Sequence, residues 1–171
     1  ISGRSLFLKE GNEDSWRNGP WLVKIDDRRK REFAEKKAAE KPCVVFWYCT
    51  ESEQALWRHL RSINEILIPD TRFAAQGSRA PLKYERVLFR HWDPAVLASM
   101  LPQLDVGQFG RFFGPASAVT LGLVDSGDVV NALRPNDLAG IPAGPLTLRP
   151  DQLAAIEDQS KLKYCMKMST I

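Results

Sequence analysis

Residues Val87–Leu121 read VLFRHWDPAVLASMLPQLDVGQFGRFFGPASAVTL, and this stretch decides the fold because strand, helix-start and helix-stop signals follow one another in it without a break. Asp93 before Pro94 is a helix start: a carboxylate accepts from the orphan amides of a first turn, and proline's fixed φ suits the first helical position. Val96, Leu97, Met100, Leu101 and Leu104 then recur at three- and four-residue spacings, which makes one buried stripe. Pro102 should kink or divide the segment near its end. A second short helix is expected from Asp105 towards Phe113, closed by Gly114 in a left-handed conformation and kept from continuing by Pro115. Upstream, YERVLFRHW supplies a strand with mixed exposure; downstream, ASAVTLGLVD supplies another.

Working outward, Gly19 and Pro20 introduce a strand-like run, Trp21–Ile25, after which Asp26 and Asp27 open a charged helix reaching about Glu40. In the run RRKREFAEKKAAEK the basic cluster Arg28–Arg31 is interspersed with Glu32, Glu35 and Glu40, so helical ion pairs and a solvated face are expected. CVVFWYC, Cys43–Cys49, is a nearly continuous apolar run and reads as a central strand buried on both faces. Thr50 with Glu53 has the spacing of a capping box for a helix that places Leu56, Trp57, Leu60 and Ile63 on one side, and EILIP reads as a further strand. Pro69–Leu82 is expected to be a long loop or lobe boundary, Ser126–Pro145 an irregular excursion, and Pro150 the start of a final helix with Leu153, Ile156, Leu162, Tyr164 and Met166 on an imperfect apolar face. The alternation of elements implies an α/β fold, a mixed or parallel sheet flanked by helices with a helical C-terminal part. Two loosely defined lobes are expected, residues 1–70 and 71–171.

Composition agrees with a globular chain: of 171 residues, 44% are hydrophobic and 26% charged, with a formal net charge of only +3. That mild basic excess does not call for nucleic acid or an anionic membrane. No apolar run approaches the roughly 18 residues that span a bilayer, and ISGRSLFLKEG lacks the layout of a signal peptide, so a cytoplasmic location is expected. Cys43, Cys49 and Cys165 show no CxxC spacing, so buried small apolar side chains are expected rather than disulfides or a zinc site.

The order Phe89, Arg90, Trp92, Asp93, Pro94, Val96, Leu97, then Leu101-Pro102, then Phe112-Phe113-Gly114-Pro115 resembles the effector-adaptor (chaperone) proteins of bacterial type VI secretion, catalogued as domain of unknown function 4123. SLF at Ser5–Phe7, GPWLV at Gly19–Val23 and LTLRPDQLAAIE at Leu146–Glu157 are similar to the flanking signatures of those adaptors. By that resemblance the chain looks trimmed at both ends. The resemblance implies a non-catalytic bacterial adaptor without cofactor, catalytic residues or metal, which holds a cognate toxin effector and helps to load it onto the VgrG spike, with neither nucleic acid nor membrane as partner. Such a role needs a few aromatic or arginine anchors amid a polar rim. Trp92, Phe109, Arg111, Phe112 and Phe113 are the candidate partner-binding residues, although phenylalanines four apart on a helix usually mean core. Arg90, Asp93, Pro94, Gly114 and Pro115 are expected to be structural, with Arg90 and Asp93 fixing the strand-to-helix corner.

The alternative is a small enzyme or small-molecule-binding α/β domain. His91 and Asp93 with Ser99 or Ser117 would be its triad, but there is no Gly-x-Ser-x-Gly elbow, and His59 and His91 lack metal-ligand spacing. Gly107 and Gly110 lie inside a helical stretch and not in a dinucleotide fingerprint. A nucleic-acid reading would use the cluster Arg28–Lys37 with Trp47 and Tyr48 as stacking faces, but those aromatics sit in the most hydrophobic run of the chain.

Overall fold

A computed structural model describes residues 3–7, 19–41, 43–70, 82–123, 128–135 and 143–168. In chain order the elements are β1 (Arg4–Ser5), β2 (Trp21–Leu22), α1 (Arg28–Glu40), β3 (Val45–Cys49), α2 (Glu53–Ser62), β4 (Glu65–Pro69), β5 (Tyr84–Leu88), α3 (Pro94–Met100), a 3-10 turn (Leu101–Gln103), α4 (Val106–Phe113), β6 (Ala116–Leu123), β7 (Asp128–Leu133) and α5 (Pro150–Met168). The α/β class read from the sequence is the class of the structure.

The central stretch folds as its punctuation dictates. Asp93 caps α3, accepting from the amides of Ala95 at 2.9 Å and Val96 at 3.4 Å, with buried Pro94 in the first turn. Pro102 cannot donate to an α-helical ladder, and the chain passes through the 3-10 turn before α4 begins. Asp105 and Gln108 form a reciprocal capping box there, each side chain 2.9 Å from the other's backbone amide. Gly114 ends α4 with φ +53°, and β6 follows directly.

The sheet differs from the expected single mixed layer. Among the described residues, strands pair antiparallel in three small sheets: β1–β2, β3–β6–β7 and β4–β5. Among the described residues the parallel component is confined to the outer edge of β4, where Leu67 donates to Leu146 O and Leu148 donates to Leu67 O, both at 2.9 Å. The pairings β3–β6 and β4–β5 both cross the expected lobe boundary at Asp70, and α2 shares one hydrophobic core with α3, α4 and β6.

Burial also reassigns the strands. The run at Cys43–Cys49 was expected at the sheet centre, but β3 is an edge strand with Trp47 half-buried and Tyr48 exposed. The central strand is β6, whose Val119 and Leu121 are fully enclosed. A continuous apolar run looks the same whether both faces are covered or Phe46 and Tyr48 merely alternate to an outer face, so periodicity alone misplaces it. Cys43 is exposed rather than buried, while Cys49 is half-buried and donates to Pro115 O at 3.4 Å; the side chain of Cys165 lies outside the described residues. The α2 cap is Ser52, whose Oγ accepts from Ala55 N at 3.1 Å, in place of the expected Thr50. The strand expected over Trp21–Ile25 is confined to Trp21–Leu22, and the excursion expected over Ser126–Pro145 contains β7. Of the expected Pro69–Leu82 loop, residues 71–81 lie outside the described residues.

Helix α1 buries no residue. Its three glutamates pair along its own surface, Arg28 to Glu32 at 2.7 Å, Arg31 to Glu35 at 3.2 Å and Lys37 to Glu40 at 2.7 Å, as its sequence pattern predicts. The interior lies elsewhere: Leu60 and Ile63 of α2 and its end, Leu97 of α3, Phe112 and Phe113 of α4, and Leu146 all have 1% exposure or less. Each such side chain stabilises the fold by about 1.5–3 kcal/mol through burial.

Candidate partner-binding face

The corner leading into α3 positions the first candidates. Asp93 Oδ1 is taken by helix amides and its Oδ2 receives Arg90 Nη2 at 2.6 Å, so the Arg90–Asp93 pair is the internal brace the sequence suggests. The brace turns Trp92 against Phe7, ring centres 5.4 Å apart and edge-on at 84°, while His91 points inward. Trp92 and Phe7 are both half-buried, with one side on the protein and the other towards solvent.

His91 is 1% exposed. Asn64 donates through Nδ2 to Leu6 O at 2.8 Å, so its Oδ1 accepts from His91 Nε2 at 2.9 Å. Nδ1 of His91 is then a buried lone pair without a partner. Burial, assisted by the nearby His59, pushes the His91 pKa down from 6.5 to about 3, so the ring is neutral. His59 is buried as well, its Nε2 donating to Phe112 O at 2.8 Å, and burial lowers its pKa too. The His59 ring occupies the space beside Gly114: a Cβ on that glycine would lie 2.3 Å from His59 Nδ1.

The α4 candidates divide. Phe112 and Phe113 are 0% exposed and belong to the core, which corrects their assignment as partner anchors; the apolar face of a short helix must fill the interior when strands lie on either side of it. Phe109 is half-buried and stacks on Phe113 at 5.8 Å. Arg111 is half-buried and engaged by the chain itself, donating to Gly144 O at 2.6 Å, Ser62 O at 3.2 Å and Ser62 Oγ at 3.1 Å. It ties α4 to the end of α2. Of the five candidates, Trp92 is thus the one that opens onto a second aromatic surface.

That surface is carried by the first described residues. Along residues 4–7, Ser5 O accepts from Trp57 Nε1 at 2.9 Å, Leu6 enters the core and Phe7 meets Trp92. Trp57, on α2, therefore adjoins the Phe7–Trp92 pair through one short stretch of backbone. Arg4 and Arg61 lie over the Trp57 ring, their guanidinium carbons 4.2 and 4.5 Å from its centre, and Arg4 also donates to Gln54 Oε1. Arg4 and Arg61, like exposed Arg58 on the same helix, have no carboxylate partner among the described residues. Sequence reasoning places Trp57 simply on the apolar side of its helix. The overlooked signal is the spacing Trp57-x-x-x-Arg61, which puts a guanidinium over an indole one turn away.

The groups of the imagined triad are each engaged elsewhere: Ser99 Oγ with Ala95 O at 3.1 Å, Ser117 Oγ with Tyr48 O at 3.2 Å, Asp93 with the cap and His91 with Asn64. Among the described residues no three His, Cys, Asp or Glu side chains are grouped to hold a metal, and no helix is long and apolar enough to cross a membrane. What the face offers chemically is two half-buried tryptophans, a phenylalanine and guanidiniums with unused donors, the residue types that dominate binding energy at protein interfaces.

No curated protein and no solved structure matches this chain. A family model does, over residues 2–111, a span that runs from β1 through the Phe89–Pro94 corner to Arg111; the chain belongs to the family described as Domain of unknown function (DUF4123).

Proposed function

We propose that this chain is a non-catalytic bacterial cytoplasmic adaptor that binds a cognate type VI toxin effector and promotes its loading onto the VgrG spike. The observation that carries the reading is the face formed by Trp57, Phe7 and Trp92: large rings held by the fold on one side and open on the other, rimmed by arginines. Such rings bind with little entropy loss because the protein already fixes them. The phrase from Phe89 to Pro94, which suggests the adaptor family at the level of sequence, is the corner that presents Trp92 in that face.

The test is co-purification with the toxin encoded beside this gene. Trp92→Ala should abolish recovery of the toxin while leaving the circular-dichroism spectrum and cooperative unfolding intact. Undiminished recovery with Trp92→Ala and with Trp57→Ala would reject this face, and turnover of a small substrate by purified protein that captures no toxin would reject the adaptor reading.

A further inference from the structure

We propose that the Arg4–Trp57–Arg61 cluster is a carboxylate-binding site, and that the partner segment docking there is an acidic stretch of protein. The inference rests on the adaptor reading for the identity of the partner and on the geometry alone for its chemistry. Two guanidiniums lie within 4.5 Å of the centre of one indole ring, and Trp57 is anchored through its Nε1 to Ser5 O. Two cations drawn to one ring repel each other, an arrangement that a nearby carboxylate would normally relieve. Several other surface arginines have one: Arg90 has Asp93, Arg86 has Glu65 and Arg149 has Asp105. Arg4 and Arg61 have none among the described residues; the contact made by Arg4 is to the neutral amide of Gln54. Arg58, on the neighbouring turn of α2, adds a third unmatched positive charge.

A guanidinium placed over an indole keeps N–H donors for an acceptor, all of them in Arg61 and those not given to Gln54 in Arg4, and such donors suit a carboxylate. Phosphate would satisfy the same donors. A nucleic-acid backbone, however, needs a track of free positive charge, and in the other basic region, α1, Arg28, Lys30, Arg31 and Lys37 are each paired with a carboxylate, in a chain whose formal net charge is +3. Charge complementarity therefore favours a compact acidic protein segment, its carboxylates on Arg4 and Arg61 and its apolar residues extending towards Phe7 and Trp92.

The experiment uses the full chain and fluorescein-labelled decaglutamate, with decaglutamine and a ten-nucleotide single strand of DNA as comparisons, read by fluorescence anisotropy at low and moderate salt. Decaglutamate should bind the wild-type protein, decaglutamine should not, and binding should weaken by at least about tenfold in Arg4→Gln/Arg61→Gln. Arg29→Gln, on α1, should bind as wild type does. Equal decaglutamate binding by Arg4→Gln/Arg61→Gln would overturn the site, and so would DNA binding tighter than decaglutamate that this variant removes. Toxin co-purification separates the two proposals. Capture of the toxin that is indifferent to Arg4 and Arg61 sinks the carboxylate site and keeps the adaptor, whereas site-dependent decaglutamate binding without toxin capture does the reverse.

Discussion

Gly114→Ala should be among the most damaging single-methyl changes in this protein. Two costs combine at that position. Gly114 has φ +53° and ψ −119°, a conformation that alanine adopts only with strain of about 1–3 kcal/mol. Its new Cβ would also lie 2.3–2.5 Å from three atoms of the His59 ring, a ring buried in the core and held by its hydrogen bond to Phe112 O. Neither the ring nor the backbone can retreat cheaply, and overpacking of this kind costs about 1–3 kcal/mol. The expected loss is about 3–4 kcal/mol, a large fraction of the roughly 5–15 kcal/mol that holds a domain together. Urea unfolding followed by circular dichroism reads it directly: with a slope of about 2 kcal/mol/M, the midpoint should fall by about 1.5–2 M. Combining Gly114→Ala with His59→Ala removes the clash but not the strain, so the double variant should lose less than the sum of the single losses, by about 1–3 kcal/mol. A Gly114→Ala midpoint within about 0.3 M of wild type would refute the reasoning.

His91 gives the fold a pH dependence of defined sign. Its folded pKa of about 3 lies below its ordinary 6.5, so the stability held by the neutral ring is complete above pH 6.5 and is lost as pH falls from there towards 3. Between pH 7 and pH 5 the loss should be about 2 kcal/mol, seen as a lower urea midpoint, and His91→Phe should flatten that part of the profile. Asp93→Ala should cost about 1–2 kcal/mol in thermal or urea unfolding, because the α3 cap and the Arg90 brace go together; an unchanged melt would remove the corner from the account. Arg111→Ala should cost about 1–2 kcal/mol by releasing Ser62 and Gly144, yet leave toxin recovery unchanged at low temperature; loss of recovery without loss of stability would return Arg111 to the contact set.

Local chemistry made much of the chain legible. Asp93-Pro94, Pro102, the Asp105 cap and Gly114-Pro115 act within a turn of themselves, so their residue types alone specified where α3 and α4 begin and end. The ion-pair pattern of α1 was likewise written in its sequence, because helical spacing determines which charges meet. Tertiary structure alone decided that β6 rather than β3 is the central strand, that Phe112 and Phe113 are enclosed while Trp92 is open on one side, and that Arg4 arrives over a tryptophan more than fifty residues away. Hydrophobicity states that a side chain prefers burial, but what covers it depends on which distant segments pair. The orphaned ring nitrogen of His91 and the empty space that Gly114 leaves for His59 are products of that pairing, set by steric fit between segments that have no local signal for each other.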